Sequence, residues 1–108
     1  MVCLIEDLEI YKKAYQLILK IYTITKNFPT DEKFGLISQM RRCSVSICAN
    51  MSEGGARITD GEQKHFFGMA RGSASELRLF IQLSSDLHLI NCERYNDITN
   101  IINQIHSG

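Results

Sequence analysis

The sequence predicts an all-α protein, a single antiparallel up-down-up-down four-helix bundle, and three observations carry that prediction. Chain breakers are few and grouped: the one proline is Pro29, and glycine gathers at Gly54-Gly55 with Gly61, Gly68 and Gly72 following, so the chain divides into a few long pieces. Within each piece apolar residues recur at spacings of three and four, and no stretch alternates with period two for more than a few residues. The connections are short, which forces neighbouring helices to run in opposite directions.

Composition bounds the rest. The 108 residues make one domain with a modest core, and 44% hydrophobic with 22% charged residues are ordinary globular values. Twelve basic and twelve acidic side chains cancel, so there is no global field to draw the molecule to nucleic acid or an anionic membrane. The apolar runs are too short for a membrane span, and the N-terminal MVCLIEDLEIYKK has acids where a secretory signal has bases, so a cytoplasmic location is expected. Cys3, Cys43, Cys48 and Cys92 contain no C-x-x-C pair, and Cys43 and Cys48 project roughly 140° apart on a helix. They read as reduced, mostly buried thiols rather than a bridge or a metal clip.

The helices are expected at about 5–27, 31–54, 60–88 and 92–106. In the first, Leu4, Leu8, Tyr11, Tyr15, Ile18, Tyr22 and Thr25 step by four and three as a heptad seam, and Ile10, Leu17 and Ile24 add a second row through Ala14 and Ile21. Together they cover roughly 220° of the helix, wider than one core-facing stripe, which points to a second contact with another helix pair or another subunit. Phe28-Pro29 closes this helix, because proline turns the preceding residue away from helical dihedrals. Thr30 or Asp31 is expected to cap the second helix, and Gly54-Gly55 to end it through a left-handed C-cap. Thr59-Asp60-Gly61-Glu62 has the form of a capping box opening the third helix, whose core face carries Phe66, Ala70, Leu77, Ile81 and Ser84. The small residues of ARGSAS (70–75) would admit a neighbouring helix closely. Asn91 is the expected N-cap of a fourth helix with Tyr95, Ile98, Ile102 and Ile105 on one side.

The second helix carries a polar seam: Gln39, Arg42, Ser46, Asn50 and Glu53 fall within roughly a quarter of its circumference beside an apolar stripe of Leu36, Met40, Cys43, Ile47 and Met51. Glu76 projects among Leu79, Phe80 and Leu83, where an unpaired carboxylate would be costly. Arg42, Asn50, Glu53, Ser73 and Glu76 are therefore expected to form a hydrogen-bonded network between helices two and three, a buried device that fixes register.

At this point EDLEIYKKAYQL, NFPTDEKFGLISQMRRCSVSICANMSEGGAR and EQKHFFGMARGSASELRLFIQLSSDLHLI resemble a family. They are similar to the small bacterial four-helix bundle proteins related to the product of the intervening sequence in large-subunit ribosomal RNA genes. The likeness covers nearly the whole chain and rests on Asp7-Leu8, Phe28-Pro29, Arg41-Arg42, Ser46-Ile47, Asn50, Glu53-Gly54, Arg57, Gly72-Ser73 and Glu76-Leu77. The resemblance implies a ring-like homopentamer. It also implies kinship with accessory variability determinant proteins of diversity-generating retroelements, basic barrels that bind a reverse transcriptase and nucleic acid. This chain departs from the pattern in carrying Cys48 where proline is common, and in being neutral.

Two basic groups are candidates for nucleic-acid or anion contact. Lys64, Arg71 and Arg78 recur every seven residues on helix three, a row about 21 Å long. Arg41 and Arg57 flank the seam. For catalysis the chain offers no E-x-x-H pair, and Gly54-Gly55-Ala56-Arg57 lacks the lysine and spacing of a phosphate loop. The expected function is a non-enzymatic oligomeric scaffold or adaptor with a protein or nucleic-acid partner. No catalytic residue, cofactor, metal, membrane or small-molecule substrate is expected.

Overall fold

The computed structural model describes residues 5–107, with the side chains of 8–32 and 34–106. Leu4 and Cys3 lie outside the described residues. Among those residues there are four helices and no strand: α1 (Ile5–Thr25), α2 (Ser38–Ala56), α3 (Asp60–Asp86) and α4 (Cys92–Ser107). Cross-helix bonds set their directions. Arg41 reaches Thr25, Glu76 meets Arg42 while Ser73 meets Ser46, Arg78 meets Asn103 while Ser75 meets His106, and Lys13 meets Gln104 while Lys20 meets Asp97. In each pair with two ties the numbers rise on one helix as they fall on the other, so the neighbours run antiparallel. α1 and α3 each pack on α2 and α4 and stand diagonally across the bundle, which measures 43 × 25 × 18 Å.

Each helix sends one apolar row inward. Leu17, Ile21 and Ile24 of α1 meet Met40, Cys43 and Ile47 of α2, Ala74, Leu77 and Ile81 of α3, and Ile98, Ile102 and Ile105 of α4. Burying each of the larger aliphatic side chains contributes about 1.5–3 kcal/mol, so these rows hold the bundle. Small residues at Ala70 and Ala74 lie on the buried face of α3, where ARGSAS was expected to allow close approach.

The helix ends follow the expected chemistry at two places and depart from it at two. Thr59 Oγ1 accepts from Glu62 N at 3.2 Å, and Asn91 Oδ1 accepts from Arg94 N at 2.8 Å, so both side chains satisfy amides of the first turn. Between Pro29 and α2 the chain does not enter the helix directly at Thr30 or Asp31. It makes a 3₁₀ turn over Thr30–Glu32 and a wide π-type turn over Lys33–Ile37, broken at Gly35 (φ −100°, ψ −107°). The capping carboxylate there belongs to Glu32, which accepts from Leu36 N at 3.3 Å. At the other end, the glycine pair does not stop α2. The helix runs through Gly54 and Gly55 to Ala56, no glycine among the described residues has positive φ, and the extended Arg57 (φ −82°, ψ 150°) ends it. Gly54 is instead buried under the neighbouring helix, where its missing Cβ makes room for Phe67.

α3 closes with a Schellman motif: Leu89 N donates to Ser84 O at 2.9 Å and His88 N to Ser85 O at 3.0 Å. Its left-handed position is occupied by His88, φ 62°.

Candidate functional site

The polar seam of α2 faces α3, but it is an outer edge of that contact rather than a buried one. Arg42 Nη2 donates to Glu76 Oε2 at 2.6 Å with the two side chains 50% and 42% exposed, and Arg42 Nε donates to Gln39 Oε1 at 2.9 Å. One turn on, Ser46 and Ser73 share a 2.8 Å hydrogen bond, and Asn50 Nδ2 donates to the carbonyl and the hydroxyl of Ser46. Glu53 stands apart from this chain of bonds: it accepts from Arg57 Nη2 at 2.8 Å at the end of its own helix. The expected five-residue network is thus divided in two, because Glu53 lies where the chain turns and Arg57 is the nearer cation. The ion pair leaves half of each side chain in water, which corrects the expectation of a buried device.

Beneath the pair sits Cys43, fully buried. Burial, followed by its hydrogen bond to Glu76, pushes the thiol up to about 12, against a smaller opposing effect of Arg42. Burial also raises the Cys48 thiol, with a hydrogen bond from Tyr11 working against it. Both are held protonated and are poor nucleophiles. Cys92 is the exposed thiol among the described residues.

The five basic candidates do not share one surface role. Arg41 is folded back on its own bundle: Nε donates to Thr25 Oγ1 at 2.9 Å, and the guanidinium lies 4.5 Å from the centre of the Tyr22 ring. Thr25, itself buried, donates a hydrogen bond from Oγ1 to Ile21 O at 2.7 Å. Arg57 pairs with Glu53 and stacks 4.7 Å over Phe66. Arg78 donates to Asn103 Oδ1 at 2.6 Å, tying α3 to α4. Lys64 and Arg71 stay exposed. The seven-residue row therefore has its last member engaged within the bundle, since that phase of α3 borders α4.

Sequence reasoning missed one feature and foresaw another only in part. His106 Nε2 lies 3.1 Å from Ser75 Oγ across α3 and α4, a serine–histidine pair separated by 31 positions with no local motif to announce it. It is exposed, and no carboxylate among the described residues orients the ring, so it lacks the third group that activates such pairs. Among the described residues no group of three or more His, Cys, Asp or Glu converges to hold a metal, and no helix is long and apolar enough to cross a membrane.

The second feature, a pair of outward apolar rows, was foreseen only in part, as the extra width of the first helix. On α1 the heptad seam is divided: Leu8, Tyr15 and Tyr22 turn outward, 46%, 52% and 39% exposed and joined by Leu19 at 54%, whereas Tyr11 and Ile18 pack against the core and Thr25 is buried. α3 carries its own outward row in Met69, Leu79 and Leu83, continued by Leu87 at its C-cap. Periodicity revealed the extra width of α1, but which half would face the core depends on how the helices are rotated against one another. Ala14, Leu17, Ile21 and Ile24 took the core because a small residue at 14 and aliphatics at the others fit between three helices.

No curated protein matches the chain. Among solved structures, a protein of unknown function from the S23 ribosomal protein family of Bacteroides thetaiotaomicron matches with a TM-score of 0.87 at 22% identity, covering 95% of this chain and 93% of its own. That likeness shows a shared helical fold. The match to the 23S rRNA-intervening sequence protein family extends over residues 6–107, and the chain belongs to that family.

Proposed function

We propose that the protein is a non-enzymatic scaffold or adaptor that works as a ring-like homo-oligomer, with five copies as the number the family resemblance implies. The observation that carries this reading is the pair of outward apolar rows, Leu8, Tyr15, Leu19 and Tyr22 on α1 and Met69, Leu79 and Leu83 on α3 with Leu87 at its C-cap. Singly exposed apolar side chains are normal, but rows at helical spacing on a bundle with a complete core mark surfaces that another chain covers. The setting proposed is the cytoplasm, where the free thiols Cys43, Cys48 and Cys92 fit. Light scattering tests the reading: an assembly several times the 12.3 kDa chain mass is expected at micromolar concentration, and a monomer there would overturn it.

A second reading, nucleic-acid binding, is favoured by one observation: Lys64 and Arg71 are exposed cations with no acidic partner among the described residues. If they follow a phosphate backbone, binding of generic RNA or DNA falls steeply with salt, and neutralising both lowers the logarithmic salt slope by about 2. Salt-insensitive capture of a single protein would support the adaptor reading instead.

A further inference from the structure

The two outward rows have matching geometry and opposite charge. On α1, Leu8, Lys12, Tyr15, Leu19 and Tyr22, with Lys26 just past its end, follow one another at steps of four and three. On α3, Met69, Gly72, Glu76, Leu79, Leu83 and Asp86 do the same at steps of three and four. Both are heptad seams, the pattern that packs one helix along another at a shallow angle. Because α1 and α3 stand diagonally across the bundle, neither seam can cover the other within one chain.

We propose that the α1 seam of one copy packs in parallel against the α3 seam of the next, as the repeating contact of the assembly. This rests on the oligomer reading above and specifies its interface. Aligning the helix C-terminal ends places Lys26 beside Asp86. Stepping back, Tyr22 meets Leu83, Leu19 meets Leu79, and Leu8 meets Met69 at the far end. Lys12 falls at the level of Gly72, where there is open space for the lysine stem, and its ammonium points toward Glu76 one turn away.

Charge favours this pairing over parallel contacts between like seams. Lys26 and Asp86 are exposed and have no ionic partner among the described residues, and Lys12 has only a loose 3.6 Å contact with Glu9. A parallel α1–α1 contact would set Lys12 and Lys26 against their own copies, and a parallel α3–α3 contact would set Asp86 against Asp86, each repulsive. The mixed contact uses a different face on each partner, so it is heterologous, and the parallel direction keeps every bundle pointing the same way. Repetition then makes a ring about an axis along the bundles when the rotation between neighbours divides a full turn, as the oligomer reading above requires.

Cysteine cross-linking tests this in a Cys3→Ser, Cys92→Ser background, which leaves only the buried Cys43 and Cys48. Leu19→Cys and Leu79→Cys combined in one chain should give, on mild oxidation, a ladder of covalent oligomers, whereas each alone should give none. An assembled double variant that forms no ladder, or a covalent dimer from either single variant, overturns the proposed contact while leaving the oligomer reading intact. A wild-type protein that is monomeric at micromolar concentration overturns both. The charge arm is independent: Lys26→Glu or Asp86→Lys should each weaken assembly about fivefold or more per contact at low salt, and the two together should restore it. Failure of the double reversal to recover assembly also counts against the pairing.

Discussion

Gly54 lies directly under the ring of Phe67: a Cβ built on Gly54 would stand 2.7 Å from Phe67 Cε1 and 3.2 Å from the Cβ of Phe66. Its neighbour Gly55, in the same helical turn, has nothing within 4 Å of the same position. The two glycines therefore separate close packing from helix propensity. Gly54→Ala should destabilise the fold by about 1–3 kcal/mol, since the ring and the α2–α3 approach must shift. Gly55→Ala should stabilise it by about 0.5–1 kcal/mol, since a helical glycine gives way to a better helix former. Urea denaturation of the two variants checks this, and equal effects would refute the packing account.

His88 holds the left-handed position after α3 at φ 62°, a conformation that costs an L-residue about 1 kcal/mol. The Schellman bonds of His88 and Leu89 do not need the imidazole, because both donors are backbone amides. His88→Gly should therefore raise stability by about 0.5–1 kcal/mol, while His88→Val should lower it by at least as much. Thermal melts of the pair decide the matter, and a loss on glycine substitution would show that the ring contributes more than the strain removes.

Helix existence was legible in the sequence because the 3.6-residue pattern is written into Leu17–Ile21–Ile24 and Ile98–Ile102–Ile105, and the caps at Thr59 and Asn91 because their chemistry is local. What stayed hidden depends on the relative rotation and level of helices. The outward turn of Tyr15, the capture of Arg78 by Asn103 and the division of Glu53 from Glu76 are of this kind, set by which faces the bundle brings together. Gly54 illustrates the limit: glycine near a helix end serves as readily for close approach as for a stop, and only the position of Phe67 tells which.

The Arg42–Glu76 pair should matter less to stability than its 2.6 Å separation suggests, because both side chains are about half in water. Exposed ion pairs contribute about 0–1 kcal/mol. A double-mutant cycle with Arg42→Ala and Glu76→Gln should return a coupling within that range, reduced further by high salt. A coupling above about 3 kcal/mol would restore the case for a register-fixing network.

Cys43 gives the fold a defined alkaline weakness. Its thiol is pushed up to about 12 in the folded chain from an ordinary 9.0, so the native state keeps its proton where the unfolded chain releases it. The protonated thiol's stabilising effect is complete below about pH 9 and is lost as pH rises from there toward 12, at about 1.4 kcal/mol per pH unit. Cys43→Ala removes the titrating group and leaves a small cavity whose cost does not change with pH. The stability advantage of the wild type over Cys43→Ala, measured by urea denaturation, should therefore narrow by about 1–2 kcal/mol between about pH 8 and pH 10.5. A constant advantage across that window would mean that the thiol reaches solvent and ionises in the folded protein, contrary to its burial beneath Arg42 and Glu76.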